Sequence, residues 1–299
     1  MPDTSPDRFL TLPNRLPGGG GLRLHYRDWG GAGPPLILLH GLSSSARIWD
    51  LMAPLLTQHF RVLALDQRGH GLSDRPGAYS FAEVTRDLAE FIDALGAERP
   101  VIAGHSWGAG VTLQFAVAHP ESPVAIALID GGFTERSSFD GASWEQAKIM
   151  MRPPDIDGTP VERFIGFAKN WPDVAAIWSD QLQEMVLANF EVRDGNIYRP
   201  LPIPDHMNIA REIWEMQPSK LWEQVLCPVL LVSAIKEATD PQRELWARAK
   251  TQGLETARER LQNARVLVME DTIHDIPIQR PQELAQAIID FAAPYSNEM

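Results

Sequence analysis

Cysteine is nearly absent. Cys227 is the only one in 299 residues, so no disulfide can form within the chain, and a reducing compartment fits. It lies in Leu226-Cys227-Pro228-Val229, at the start of an apolar strand, and reads as a small buried residue. Long apolar runs are missing too: none approaches the roughly 18 residues of a membrane span. Met1-Pro2-Asp3-Thr4-Ser5 opens without a basic region followed by an apolar stretch. Both features lead us to expect a cytoplasmic protein. Positive charge is in deficit, with 27 Lys and Arg against 39 Asp and Glu and a net charge of −12. That balance argues against nucleic acid and anionic membrane surfaces as partners, and the lack of a long apolar run argues against membrane insertion. There are no internal repeats and no low-complexity segments. At 44% hydrophobic content, the chain can bury one large core with room for an inserted subdomain.

Strand and helix signals alternate through the first 130 positions. Leu22 to Trp29 alternates as an antiparallel strand does, and Gly30-Gly31-Ala32-Gly33-Pro34-Pro35 is a turn. Leu36-Ile37-Leu38-Leu39, Val62-Leu63-Ala64-Leu65, Val101-Ile102-Ala103 and Val124 to Ile129 are short continuous apolar runs, as expected of strands buried on both faces. A helix is predicted from Ala46 to Gln58. Ser80-Phe81-Ala82-Glu83 is a capping box that opens another through Leu95, which Gly96 ends. This alternation implies an α/β fold with a mostly parallel central sheet and helices on both faces.

From Phe133 to Ser219 the pattern changes to successive helix-like segments without a buried strand. Thr159-Pro160-Val161-Glu162 reads as a second capping box, and Val174, Trp178, Leu182, Met185 and Phe190 mark a further helix. Strands resume at Val229 to Val232 and Val266 to Met269, and Pro281 opens a last helix through Phe291. The expected organisation is a core domain of residues 1–132 and 220–299 with an all-helical cap, residues 133–219, over the sheet's carboxyl edge.

The chemistry centres on Gly104-His105-Ser106-Trp107-Gly108, directly behind a buried strand and ahead of an amphipathic helix. A G-x-S-x-G in that context is a sharp strand-to-helix turn. The small residues avoid backbone clashes, and the strain aims the serine hydroxyl outward. Ser106 is therefore the expected nucleophile. The N–H of Trp107, in the first turn of the helix, is a free donor for a developing oxyanion.

These residues, with His40-Gly41-Leu42, Asp66-Gln67-Arg68-Gly69-His70-Gly71 and His274 in Thr272-Ile273-His274-Asp275-Ile276-Pro277, resemble an α/β-hydrolase fold protein with a helical cap. The resemblance covers about residues 20–132 and 226–293. It implies His274 as general base, on a loop after the last strand, and Leu42 as the second oxyanion donor. Serine needs such a base within hydrogen-bond reach. Of the other histidines, His40, His70 and His105 sit in turn motifs with structural bonding, and His25, His59, His119 and His206 have no motif. The Asp66–Gly71 segment reads as a tight turn with a structural salt bridge.

The family usually places the triad acid after the post-cap strand, in a Gly-x-x-Asp pattern. Here that stretch reads Ser233-Ala234-Ile235-Lys236-Glu237-Ala238-Thr239-Asp240-Pro241, with glycine missing and Glu237 at the matching position. Some members instead place the acid before the cap, where Asp130 precedes Gly131-Gly132. Three candidates stand, in the order Asp130, Glu237, Asp240.

Four tryptophans (Trp144, Trp171, Trp178, Trp214) and five methionines (Met150, Met151, Met185, Met207, Met216) fall within the expected cap. Most should pack the cap onto the core, and a minority should shape an apolar, adaptable pocket. Leu42, Trp107, Trp144 and Trp178 are the expected substrate contacts. The implied activity is that of a serine hydrolase acting on small-to-medium apolar esters or lactones through an acyl-enzyme, without metal or organic cofactor, as a monomer or homodimer. Carbon–carbon bond hydrolysis and cofactor-free perhydrolysis are alternatives on the same fold, and a ligand-binding protein with vestigial activity is one of another class. Serine argues against epoxide hydrolase and haloalkane dehalogenase chemistry, whose enzymes carry aspartate at this position.

Overall fold

The apolar runs become sheet strands for a simple reason: consecutive residues point to opposite faces, and both faces are covered. A computed structural model describes residues 6–13, 15–16, 18–138, 142–237 and 241–298. The first strands are β1 (Asp7–Leu12), β2 (Leu22–Gly30), β3 (Pro35–Leu39), β4 (Arg61–Leu65), β5 (Val101–His105) and β6 (Ala125–Ile129). Ile37 and Leu39 bury in one apolar layer with Leu63, Ile102 and Leu128. Leu36 and Leu38 bury in the opposite layer with Val62, Ala103 and Ala127.

Between β3 and β4 the predicted helix is broken. A 3-10 turn (Ala46–Trp49) precedes a separate α1 (Ala53–Leu56), because Pro54 fixes its own φ and lacks an N–H, and so opens a new helix. The helix α2 (Phe81–Ala94) is capped as predicted, with Ser80 Oγ accepting the Glu83 N–H at 3.3 Å. After β5 comes α3 (Trp107–Ala118).

The insertion after β6 holds α4 (Trp144–Met151), α5 (Val161–Ala168), α6 (Asp180–Leu187) and α7 (Ile203–Glu215). It is not all-helical, which corrects the sequence expectation. The strands β7 (Thr159–Pro160), β8 (Glu191–Arg193) and β9 (Asn196–Tyr198) form a three-stranded antiparallel sheet in the order β7-β9-β8. Its hairpin turns at Asp194 and Gly195, both at positive φ (49° and 75°). An Asp-Gly pair between short strands is the usual signal for such a turn. The sheet also displaces the predicted capping box. Thr159 pairs with Ile197, Pro160 occupies the N-cap position of α5, and no side chain caps it. Likewise the predicted helix through Val174 and Phe190 is split. A 3-10 turn (Ala175–Ile177) precedes α6, which restarts where Ser179 Oγ accepts the Leu182 N–H at 3.1 Å.

The core then resumes with β10 (Val229–Ile235), α8 (Pro241–Arg260), β11 (Ala264–Glu270), α9 (Ile276–Gln279) and α10 (Pro281–Ala292). The large sheet runs β1-β2-β4-β3-β5-β6-β10-β11, antiparallel at the β1–β2 and β2–β4 pairs and parallel elsewhere. Three of the parallel strands, β5, β6 and β11, release at their carboxyl ends the turns or loops that carry Ser106, Asp130 and His274. Among the described residues no helix is long and apolar enough to cross a membrane.

Candidate active site

Ser106 has φ 56° and ψ −114°, a strained conformation for a residue with a side chain. Two glycines allow it. A Cβ on Gly104 would fall 2.2 Å from Gly108 O, and one on Gly108 would fall 2.5 Å from Leu39 O. The turn is also tied to the neighbouring strand by a Ser106 N–H bond to Ile129 O at 2.8 Å. The strain therefore rests on packed backbone on two sides, and the hydroxyl is delivered to the cleft.

His274 Nε2 lies 2.9 Å from Ser106 Oγ, and Nδ1 lies 2.6 Å from Asp130 Oδ2. A carboxylate only accepts, so Nδ1 carries the proton and Nε2 offers its lone pair to the serine hydroxyl. Burial alone would lower the His274 pKa, but the hydrogen bond and charge of Asp130, with Asp275 adding to them, hold it above the ordinary histidine value. Burial alone would raise the Asp130 pKa. Its bonds to His274 and Lys250 outweigh that and draw it down to about 2. The carboxylate side chain is 1% exposed, whereas the His274 side chain is 50% exposed, toward the cleft.

The strand pairing selects among the three acid candidates. The parallel partner β10 accepts the Asp130 N–H at Val232 O (2.8 Å), and the Ala234 N–H returns to Asp130 Oδ1 at 2.8 Å. Glu237 is exposed two residues beyond β10, and its place against Nδ1 is taken by Asp130. Asp240 lies outside the described residues.

Three turn histidines are structural, as their motifs suggest. His40 Nδ1 donates to Gly41 O at 2.7 Å and Nε2 accepts the Gln67 N–H at 3.0 Å, which pins the loop carrying Leu42 onto the Asp66–Gly71 turn. Burial lowers its pKa, so the ring stays neutral. His105 Nε2 donates to the His274 carbonyl at 2.9 Å and fixes the loop that carries His274; burial, with His274 adding to it, brings its pKa to about 4. Burial takes His70 to about 3. In the same turn Asp66 accepts the Ala46 and Leu72 N–H groups and pairs with His25 Nδ1 at 2.6 Å, and Arg68 pairs with Asp87.

The cleft above Ser106 encloses about 560 Å³, within the range of small-molecule sites. Leu42 and Trp107 line it, as expected. Trp144 and Trp178 do not, which corrects their assignment as substrate contacts. Trp144 packs on Trp214 at 6.3 Å between ring centroids under the Arg211 guanidinium, and Trp178 packs with Val186 against one apolar cluster within the insertion and a second that includes Ile273 and Ile278 of the core. Trp171 lines a separate cavity of about 660 Å³ with Phe164, Phe167 and Phe190. The insertion instead presents Met151, His206, Ile213 and Met216 to the cleft. Of these, His206 had no motif to reveal it. It bridges the insertion and the core, Nδ1 to Ser43 Oγ and Nε2 to Met151 O, both at 2.8 Å.

A strained serine on a strand-to-helix turn, with histidine and aspartate from later loops, defines the α/β-hydrolase class of site. The sequence matches the alpha/beta hydrolase family over residues 36–287, and the chain belongs to that family. It is 38% identical over 231 residues to a fluoroacetate dehalogenase of a Burkholderia species, an alignment covering 63% of this chain and 76% of the relative. It is 40% identical over 138 residues to a Mycobacterium phage protein bearing a provisional non-heme haloperoxidase name, covering 46% of this chain and 50% of that one. The chain thus spans half the length of the phage relative. A solved structure of E-2-(acetamidomethylene)succinate hydrolase superposes with a TM-score of 0.72 at 20% identity, covering 96% of this chain and 100% of the other. That likeness concerns the fold.

Proposed function

We propose that the protein is a serine hydrolase that cleaves carboxylic esters or lactones of small-to-medium apolar compounds. The observation that carries the reading is the continuous chain Ser106–His274–Asp130, at 2.9 Å and 2.6 Å, opening into a cleft walled by Leu42, Phe81, Ile213 and Met216. In this reading His274 takes the Ser106 proton as Oγ attacks the carbonyl carbon. The N–H groups of Leu42 and Trp107 receive the developing oxyanion. His274 then protonates the leaving alcohol, and water deacylates the serine by the same route in reverse. Residues 133–219 act as a cap that supplies part of the cleft wall and so tunes acyl preference.

The chemistry of the nucleophile separates this reading from the dehalogenase name of the Burkholderia relative. An aspartate that displaces halide, or opens an epoxide, forms an ester that water can cleave. Serine in the same displacement would form an ether, which an activated water does not open. Serine is productive only where the acyl-enzyme is itself an ester. The haloperoxidase name of the phage relative favours one second reading, in which peroxide rather than water deacylates Ser106.

A panel of p-nitrophenyl esters and aliphatic lactones, with fluorophosphonate labelling of Ser106, tests the proposal. We expect turnover on at least one ester series and labelling that Ser106→Ala removes. Labelling without turnover on any member would overturn the hydrolase reading in favour of a binding protein. Faster release with peroxide than with water would favour perhydrolysis.

A further inference from the structure

A nearly wholly buried carboxylate needs more compensation than one imidazole provides. Asp130 receives it from α8. Lys250 Nζ lies 2.7 Å from Oδ1 and 3.0 Å from Oδ2, and it also donates to Ala234 O at 2.5 Å. Oδ1 accepts the Ala234 N–H beside its ion-pair contact with Lys250, and Oδ2 accepts from both His274 Nδ1 and Lys250, so neither oxygen is left without a partner. The lysine reaches this place because its helix comes unusually close. A Cβ on Gly253 would fall 2.2 Å from Phe133 O, so α8 meets the segment after β6 backbone to backbone. Gly253 and Lys250 are three residues apart and share a helix face. The contact that requires glycine also delivers the ammonium to the carboxylate.

We infer that Lys250 is a positioning residue for the Ser106–His274–Asp130 chain: it locks the Asp130 carboxylate through both oxygens, and its charge limits how tightly Asp130 holds a proton on His274. The inference rests on the serine hydrolase reading. The groups facing the ring are Asp130 after β6, Lys250 on α8, His105 on β5 and Asp275 in its own loop. Arg136, His206 and the Lys236–Asp173 pair also line the cleft. All of these except Lys250 persist in the variants below.

The test compares wild type with Lys250→Met, Lys250→Gln and Lys250→Arg by two readouts: NMR titration of the His274 ring, and the pH dependence of fluorophosphonate acylation at Ser106. Removing the nearby cation favours imidazolium. Met and Gln should therefore raise the ring's midpoint and the acidic limb of acylation together, by about 1 pH unit for a partly screened charge. Arg should restore the wild-type values. A lysine that merely packs would lower Tm and leave both curves in place, so coincident titrations in Met or Gln overturn the inference. If neither folds, Gly253→Ala decides: it keeps Lys250 but forces α8 away, and an unchanged midpoint there is equally fatal. Loss of wild-type labelling at Ser106 would instead sink the serine reading, while the ring titration would still judge Lys250.

Discussion

The sheet core and the insertion between β6 and β10 were built under different constraints, and their sequences differ in how openly they state them. In the core, the central parallel strands β3, β5 and β6 are covered on both faces, so their residues are largely apolar and their ends are turns. Most of the groups proposed for catalysis are on those turns, where backbone geometry leaves few choices. The insertion is a layer with one side on the cleft and the other toward solvent. Three of its four helices have eight residues, Phe167 and Trp171 are 55% and 44% exposed, and Trp144, Trp171 and Trp214 pack on neighbours within the layer. A tryptophan in such a layer signals packing more often than recognition. The residues that do face Ser106 from the insertion, such as Ile213 and Met216, are not distinguished by type.

Mutations can break or sharpen that contrast. The largest effect should come from the core turn. Ser106→Ala should lower kcat by about 10⁶, the scale seen when a triad nucleophile is removed. Thermal unfolding should be nearly unchanged, and retention of more than a few per cent of activity would end the serine mechanism. Next, Asp130→Asn should cost on the order of 10³–10⁴ in kcat on one ester near neutral pH, while Glu237→Gln is nearly silent. A large loss at Glu237 with a mild one at Asp130 would reverse that order.

The insertion should respond more weakly and in two distinct ways. Truncating Ile213 or Met216 to Ala should change the ratio of kcat/KM between short and long acyl esters by about tenfold, since each apolar methylene in a pocket discriminates by about 1–3 kcal/mol. Trp144→Ala and Trp178→Ala should lower stability by about 1–3 kcal/mol and leave that ratio alone. A changed ratio in the tryptophan variants would restore them as substrate contacts. The smallest effect is a shift in pH. Only neutral His274 can take the serine proton, and its pKa is raised, so kcat/KM should fall with decreasing pH at values above the ordinary histidine range of about 6.5. In Asp130→Asn the limb should move to lower pH, because the group that raises it is gone. A limb that stays in place would mean another group controls it.

Much of the core was legible because period and punctuation reflect local physics. The buried strands, the Ser80 cap, the glycines around Ser106 and the loop position of His274 are properties of a few adjacent residues. The parts misread were those settled by partners far along the chain. Thr159-Pro160-Val161-Glu162 has a capping-box pattern, but pairing with β9 takes Thr159 into a strand. The Asp194-Gly195 turn was a readable hairpin signal that the surrounding helix-like segments obscured. Asp130 and Glu237 are both acidic residues at strand ends, and sequence alone could only rank them.

By itself, then, the sequence determined the central sheet and the strained serine turn, because each is encoded in apolar runs and small residues that act over one turn, while His274 was singled out by the family resemblance and by its place after the last strand. Tertiary structure decided which carboxylate meets His274, which lysine meets that carboxylate, and which side chains of the insertion see the cleft. The first two outcomes depend on the register of β6 against β10 and on the approach of α8 at Gly253. Both are contacts between segments more than a hundred residues apart, and no local pattern records them.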